Sequence, residues 1–248
     1  MRNLRALFRF VLLLSATIGV YALWFILRPV IPNKQYWRQL TFDNWSKAFV
    51  RICGMQIEVI GTPPKPPFFL VSNHLGYIDI PAIRSVVKGV YVAKHEISDW
   101  FMAGKMIRNM GTIFVNREKR RDIPRAGSEV IEALDRGEGV IVFPEGTSTK
   151  GEEVLPFNSS FLEFAAKTDT PVSYVSISYR TPEGELPPSE CICWWDDTPF
   201  LNHMLKLLAV KRFTAVMNFG DEPVVNPDRK ELASELRSKV IEHFVPVI

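Results

Sequence analysis

The stretch "FFLVSNHLGYIDIPAI", residues 68–83, decides how the chain is to be read. It opens as an almost continuous apolar run, as a strand covered on both faces does. It then sets His74 and Asp79 five residues apart and runs into Pro81. On a regular helix those two side chains would stand about 140° apart, so helix geometry would not pair them. Gly76 permits a tight turn, and Pro81 favours a helix beginning near Ile80 and read here over residues 81–88. The five-residue step is then a loop at the lip of a strand, able to fold Asp79 back towards the imidazole. A carboxylate on one ring nitrogen fixes the tautomer and supports positive charge on the ring. The other nitrogen is left to take a proton from a hydroxyl.

Outward from this stretch the elements alternate. "MQIEVIG" has strand periodicity and "TPPKPP" is a stiff connection without helical potential. "VYVAK" reads as a strand. "SDWFMAGKMIRNMG" reads as a helix with Ser98 or Asp99 as its N-cap and Gly111 as its exit. "TIFVNR" is a strand, "DIPRAGSEVIEALDRGEG" a helix stopped at Gly137, and "GVIVFPEGTST" a strand running into a loop. "SFLEFAAKTDT" follows as a helix and "PVSYVSISYR" as a strand. "ECICWW" and "FTAVMNFGDEP" read as further strands, and residues 227–244 as a closing helix. Strands alternating with helices predict an α/β domain with a mostly parallel sheet flanked by helices. In such sheets function gathers where strands end and loops begin.

The amino terminus has a different texture. Residues 10–27 form 18 consecutive uncharged positions, preceded by Arg2, Arg5 and Arg9 and closed by Arg28. As a helix this run is ~27 Å long, enough for the hydrocarbon core of a bilayer. No small-residue cleavage exit precedes Arg28, which favours an uncleaved anchor. Basic residues flank both ends, so the charge rule does not orient it, and crossing the bilayer or lying in one leaflet both stay open. Pro29 and Pro32 break the helix. A second helix follows with Trp37, Leu40, Phe49 and Ile52 among Lys34, Arg38, Lys47 and Arg51, a composition suited to a membrane interface. The expected organisation is residues 1–54 as membrane-binding helices and 55–248 as the α/β domain.

A net charge of +3 with scattered basic residues gives no footprint for nucleic acid. Cys53, Cys191 and Cys193 form no disulfide framework and no zinc set, and Cys191-Ile192-Cys193 alternates as strand neighbours would. The G-x-S-x-G, H-E-x-x-H and Walker A patterns are all missing. The His-Asp pair therefore has no evident serine or metal to serve, and its simplest partner is a substrate hydroxyl. "GTIFVNR" ends a strand on Arg117, a residue type that holds phosphate bidentately. "FPEGTST" leaves a strand through Pro144, Glu145 and Gly146 with hydroxyls beyond.

Together and in this order these stretches resemble the glycerolipid acyltransferase family, which contains the bacterial 1-acyl-glycerol-3-phosphate acyltransferases. The N-H-x(4)-D block is matched by Asn73, His74 and Asp79, the G-x-x-F-x-x-R block by Gly111, Phe114 and Arg117, and F-P-E-G-T by residues 143–147. A fourth block around a proline is matched firmly only at Pro171. The resemblance implies a glycerol-3-phosphate acyltransferase-like fold with His74 as general base and Asp79 orienting it. Arg117 would hold the acceptor's phosphate. Glu145 and Gly146 would shape the acceptor site, with Thr147 and Ser148 contributing. It implies no metal and no cofactor, an acyl-CoA or acyl-carrier protein thioester as donor, and a lysolipid, first of all 1-acyl-glycerol-3-phosphate, as acceptor. The cytoplasmic side of the cell inner membrane is the expected location. Backbone amides near Gly76 or Gly146 are the candidate oxyanion donors. "FPEGTSTKGEEVLPF" and "ECICWWDDTPF" also resemble relatives that acylate lyso-ornithine lipid, whose acceptor lacks a phosphate. A lipid hydrolase or transacylase, or a membrane-tethered lipid-binding protein without catalysis, are the alternatives of other classes.

Overall fold

The structure is a computed structural model and describes residues 2–100, 103–116 and 122–247. Its frame is a seven-stranded sheet: β1 (Met55–Ile60), β2 (Phe68–Ser72), β3 (Gly89–Lys94), β4 (Ile113–Val115), β5 (Gly139–Val142), β6 (Val172–Arg180) and β7 (Phe213–Phe219), in the order β1-β7-β6-β2-β5-β3-β4. All neighbours are parallel except β6 and β7. Every residue of the central strands β2 and β5 is buried, as their continuous apolar runs require. Successive residues of β2 serve opposite faces. Phe68 and Leu70 join a core beneath α1 (Arg2–Leu27), α2 (Lys34–Cys53), α3 (Asp79–Arg84) and α8 (Phe200–Ala209). Phe69 and Val71 join a second core beneath α5 (Asp122–Asp135), α6 (Glu163–Lys167) and α9 (Arg229–His243). The sheet is thus sandwiched between two helical layers.

The N-terminal helices form a hairpin laid on the first face. Trp37 Nε1 donates to Trp24 O at 3.2 Å and Trp45 Nε1 to Thr17 Oγ1 at 3.0 Å. At the other end of α1, Arg5 and Arg9 donate to the carbonyls that end α8 and α2, among them Ala209 O at 3.1 Å and Cys53 O at 3.0 Å. These guanidiniums complete carbonyls that a helix terminus leaves unpaired. Between these ties α1 buries only Ala6, Leu13 and Trp24, while Leu7, Phe8, Val11, Leu14, Ile18 and Ile26 stand exposed. It is long and apolar enough to cross a membrane.

Three local expectations are corrected. "ECICWW" is not a strand: residues 188–191 form the short helix α7 (Pro188–Cys191), and Ile192 N and Cys193 N both bond Pro188 O, at 2.8 and 2.9 Å. Pro188 at the first helical position sets the turn, and the apolar alternation reflects burial of Cys191, Ile192 and Cys193 rather than a ladder. Ser98 and Asp99 lie in a 3-10 turn over His95–Asp99, and it is Trp100 O, after that turn, that accepts from Gly104 N at 2.9 Å at the entry to α4 (Ala103–Asn109). The turn packs so closely on α4 that a Cβ at Gly104 would fall 2.1 Å from Ser98 O. The helix after the His-Asp loop begins at Asp79 and ends at Arg84, because Gly89 already opens β3.

Candidate active site

Asn73 closes β2. Its side chain donates from Nδ2 to Ile177 O at 2.9 Å and accepts from Ile177 N at 2.8 Å, which ties the exit of β2 to β6. His74 follows, and its backbone is held on both sides: its N donates to Glu145 Oε1 at 2.7 Å and its O accepts from Thr149 N at 2.9 Å. The loop then turns over Gly76. A Cβ there would sit 3.0 Å from Trp194 N, and the φ of 157° is one that glycine adopts more readily than other residues. Asp79, in the first turn of α3, points back at the loop.

His74 Nδ1 lies 2.8 Å from Asp79 Oδ2. The same oxygen accepts from Leu75 N at 2.6 Å and Gly76 N at 3.0 Å, and Oδ1 accepts from Tyr179 Oη at 2.7 Å. The carboxylate is fully buried, yet every direction from it meets a donor, the condition for keeping a charge out of water. Tyr179 was not singled out by sequence reasoning. Its signal is generic: a tyrosine at an inward position of a buried strand must find a partner for its hydroxyl. The imidazole stacks on Phe143, centroids 4.1 Å apart and planes at 15°, and Phe143 in turn stacks near Tyr91 at 6.0 Å. The ring therefore has its plane fixed by Phe143 and its azimuth by Asp79. A fifth of the His74 side chain is exposed, and Nε2 has no hydrogen bond among the described residues.

The third block packs against the His74 loop. β5 ends at Val142, and the chain turns through Gly146, whose φ of 74° is the left-handed conformation glycine tolerates. Glu145 does not simply face outwards: Oε1 takes the His74 amide and Oε2 the Leu155 amide at 3.0 Å. Burial pushes its carboxyl up to about 8, against the pull of the two amides. Glu145 thus clamps the His74 backbone. Thr147 is exposed beside it, and Ser148 Oγ donates to Trp194 O. Among the amides near Gly76 and Gly146, Gly76 N is engaged with Asp79 and Gly146 N with Phe143 O at 3.1 Å. Arg117 lies outside the described residues; Gly111 and Phe114 of its block precede and enter β4. A groove of about 880 Å³ lies at the opposite end of β2 and β6, lined by residues such as Lys65, Phe68 and Pro171. It is remote from His74.

A strand-end histidine locked to a saturated aspartate, on a doubly wound sheet, can be set beside known proteins. Residues 56–178 match the family model described as Acyltransferase. The chain is 32% identical over 221 residues to a lyso-ornithine lipid O-acyltransferase of Rhodobacter capsulatus, covering 86% of this chain and 79% of that one. This chain belongs to the acyltransferase family. A lyso-ornithine lipid O-acyltransferase of Pseudomonas aeruginosa is 29% identical to this acyltransferase over 97% of this chain and 93% of its own. A 1-acyl-sn-glycerol-3-phosphate acyltransferase of Neisseria gonorrhoeae is 35% identical over 131 residues, 52% of this chain and 51% of its own. The crystal structure of PlsC from Thermotoga maritima, an LPA acyltransferase, superposes with a TM-score of 0.69 at 23% identity over 98% of each chain, so the acyltransferase shares its fold.

Proposed function

We propose that this acyltransferase moves an acyl chain from a thioester to the free hydroxyl of a lysolipid, with His74 as the general base. The observation that carries the reading is the 2.8 Å contact between His74 Nδ1 and a carboxylate that is otherwise saturated. Asp79 holds the proton on Nδ1, so Nε2 is the unprotonated nitrogen facing the substrate. Nε2 takes the hydroxyl proton as the oxygen attacks the thioester carbonyl. The tetrahedral adduct expels the thiolate, and the imidazolium returns the proton to it. No acyl-enzyme forms, and acyl-CoA and acyl-carrier protein both fit as donors.

For the acceptor, the relatives matched along nearly the whole chain are named for lyso-ornithine lipid, while the glycerol-phosphate relatives match about half of it. Sequence likeness over 86% and 97% of this chain to lyso-ornithine lipid O-acyltransferases, against 52% for the glycerol-phosphate relative, favours an ornithine-bearing lysolipid over lysophosphatidic acid. In this reading Arg117 takes the headgroup carboxylate, and the Glu145–Gly146–Thr147 turn borders the headgroup. Helix α1 is tied to the domain at both ends, by Arg5 Nε on Ala209 O and by Asn109 Nδ2 donating to Tyr21 Oη at 2.7 Å. It therefore lies along the bilayer surface with its exposed apolar side immersed, and residues 1–54 serve as the membrane unit. Thioester donors place the catalytic domain on the cytoplasmic side of the inner membrane.

The test crosses two donors, acyl-CoA and acyl-carrier protein, with ornithine- and phosphate-bearing lysolipids, using wild type and His74→Ala. Wild type is expected to transfer preferentially to the ornithine lysolipid, and the variant to lose about 100- to 10,000-fold in kcat while folding normally. Near-normal transfer by His74→Ala removes the base assignment. Chain release without any thioester donor assigns a hydrolase instead.

A further inference from the structure

A second cavity, about 330 Å³, opens where the end of α1, the start of α2 and the end of α4 meet. It lies at the far end of the sheet from the dyad: Arg108 and Gly111 precede β4, whereas His74 follows the carboxyl end of β2, which reaches β4 through the parallel strands β5 and β3. Four cations line it: Arg28, Lys34, Arg38 and Arg108. Among the described residues only Arg38 meets an acid, Glu138 at 2.6 Å. Arg28 lies over the Trp24 ring at 5.2 Å and Arg108 over the Phe114 ring at 4.9 Å. Neither these two nor Lys34 has a carboxylate within ion-pair distance among the described residues. Trp24, which lines the same cavity, is 3% exposed, and its indole Nε1–H is buried without an acceptor among the described residues. Two guanidiniums without a described carboxylate partner, and a buried donor without a described acceptor, suit this concavity to an oxyanion of phosphate chemistry. The surroundings name its carrier. Leu23, Phe25, Ile26 and Val30 stand exposed at the same end of α1, so the cavity sits at the edge of the apolar face.

We propose that this cavity binds the phosphate of an anionic membrane lipid headgroup, as a docking site separate from the acyl-transfer centre. Apolar insertion of α1 fixes the depth of the enzyme in the leaflet. The headgroup site fixes its rotation, so that the His74 loop keeps its relation to the bilayer surface.

The full-length protein tests this by co-sedimentation with vesicles of phosphatidylcholine alone and of phosphatidylcholine with phosphatidylglycerol. Lys34→Gln/Arg108→Gln removes two unpaired cations from the cavity. Lys47→Gln/Arg51→Gln removes two exposed cations from elsewhere on α2 and is the control for diffuse attraction. The cavity variant is expected to lose about 30-fold in partitioning to the anionic vesicles. Its binding to neutral vesicles and its melting temperature stay unchanged, and the control shifts less than about threefold by the same measure. Equal losses in the two variants, or none in the cavity variant, overturn the proposal. Titration of inorganic phosphate into detergent-solubilised protein separates the sources. No saturable uptake is expected if the ligand is lipid-borne. Uptake abolished by Lys34→Gln/Arg108→Gln assigns the cavity to free phosphate and overturns the lipid assignment.

Discussion

At His74 the chemistry depends on a carboxylate that the fold has surrounded with donors, and Tyr179 is the donor most open to test. Its hydroxyl supplies Asp79 Oδ1 with a partner from β6 at 2.7 Å. Tyr179→Phe removes that bond without changing the ring's volume and leaves one oxygen of a buried anion unmatched. Stability should fall by ~1–3 kcal/mol. With the imidazole less firmly aimed, kcat should fall roughly 10- to 100-fold while KM changes little. Thermal melting and steady-state kinetics check both, and a loss confined to KM would show that Tyr179 shapes binding instead. Glu145 makes a pH prediction. Its carboxyl is raised to about 8 from 4.5 by burial, so between those values the folded state keeps a proton that the unfolded chain releases. This contribution is full below about pH 4.5 and is lost as pH rises through about 8. Wild-type stability measured against Glu145→Gln should therefore decline from pH 5 to pH 8 and level off above, as denaturant midpoints across that range would show. A flat difference would mean that the two amides keep the carboxylate ionised. The motif residues His74, Asp79 and Glu145 were legible as chemistry-bearing types at the lips of strands. Tyr179 was not, because it lies 100 residues from Asp79 and only sheet pairing brings the two together.

Among the elements, α3 sets the position of Asp79, and α3 is itself fixed by a buried ion pair. Arg84, 1% exposed at the end of α3, meets Asp43 of α2 at 2.6 Å, caps Val87 O at 3.2 Å and lies 5.0 Å from the Phe42 ring. Arg84→Ala leaves Asp43 with Lys88, at 3.7 Å, as its one remaining cationic partner among the described residues. The expected cost is ~3–5 kcal/mol, since removing one member of a buried pair leaves an uncompensated charge. Replacing both by apolar residues of similar size should recover much of that loss. If the single variant unfolds at the wild-type denaturant midpoint, the pair is not what docks α3. Patterning exposed β2, β5 and α5 readily, because their periodicity spans whole elements. It missed α7 and misread "ECICWW", because four residues of helix hold too little periodicity to compete with an apolar alternation. Helix α8 carries the i, i+3, i+4 spacing of His203, Met204, Leu207 and Leu208, yet no expectation covered it.

For the molecule as a whole, the exposed apolar side of α1 is the unusual surface. Leu14 is 49% and Ile18 59% exposed, and neither belongs to the buried core. Leu14→Lys/Ile18→Lys should leave the melting temperature unchanged and weaken vesicle partitioning by roughly 10-fold or more, from lost apolar insertion. Unchanged partitioning would mean that this side faces something other than lipid. The sequence by itself determined the class of the sheet, the presence of an apolar N-terminal helix, and the residue types and spacing of the His-Asp loop. All three are written in local periodicity and short-range motif, over spans the chain crosses without folding back. Only the tertiary structure decided that Asp79 is saturated by Tyr179, that Glu145 clamps the His74 backbone, that α1 is tied down at both ends, and that four cations converge on one cavity. Each of these joins residues distant along the chain, and no local pattern encodes a contact whose geometry is set by the packing of elements on both faces of a sheet.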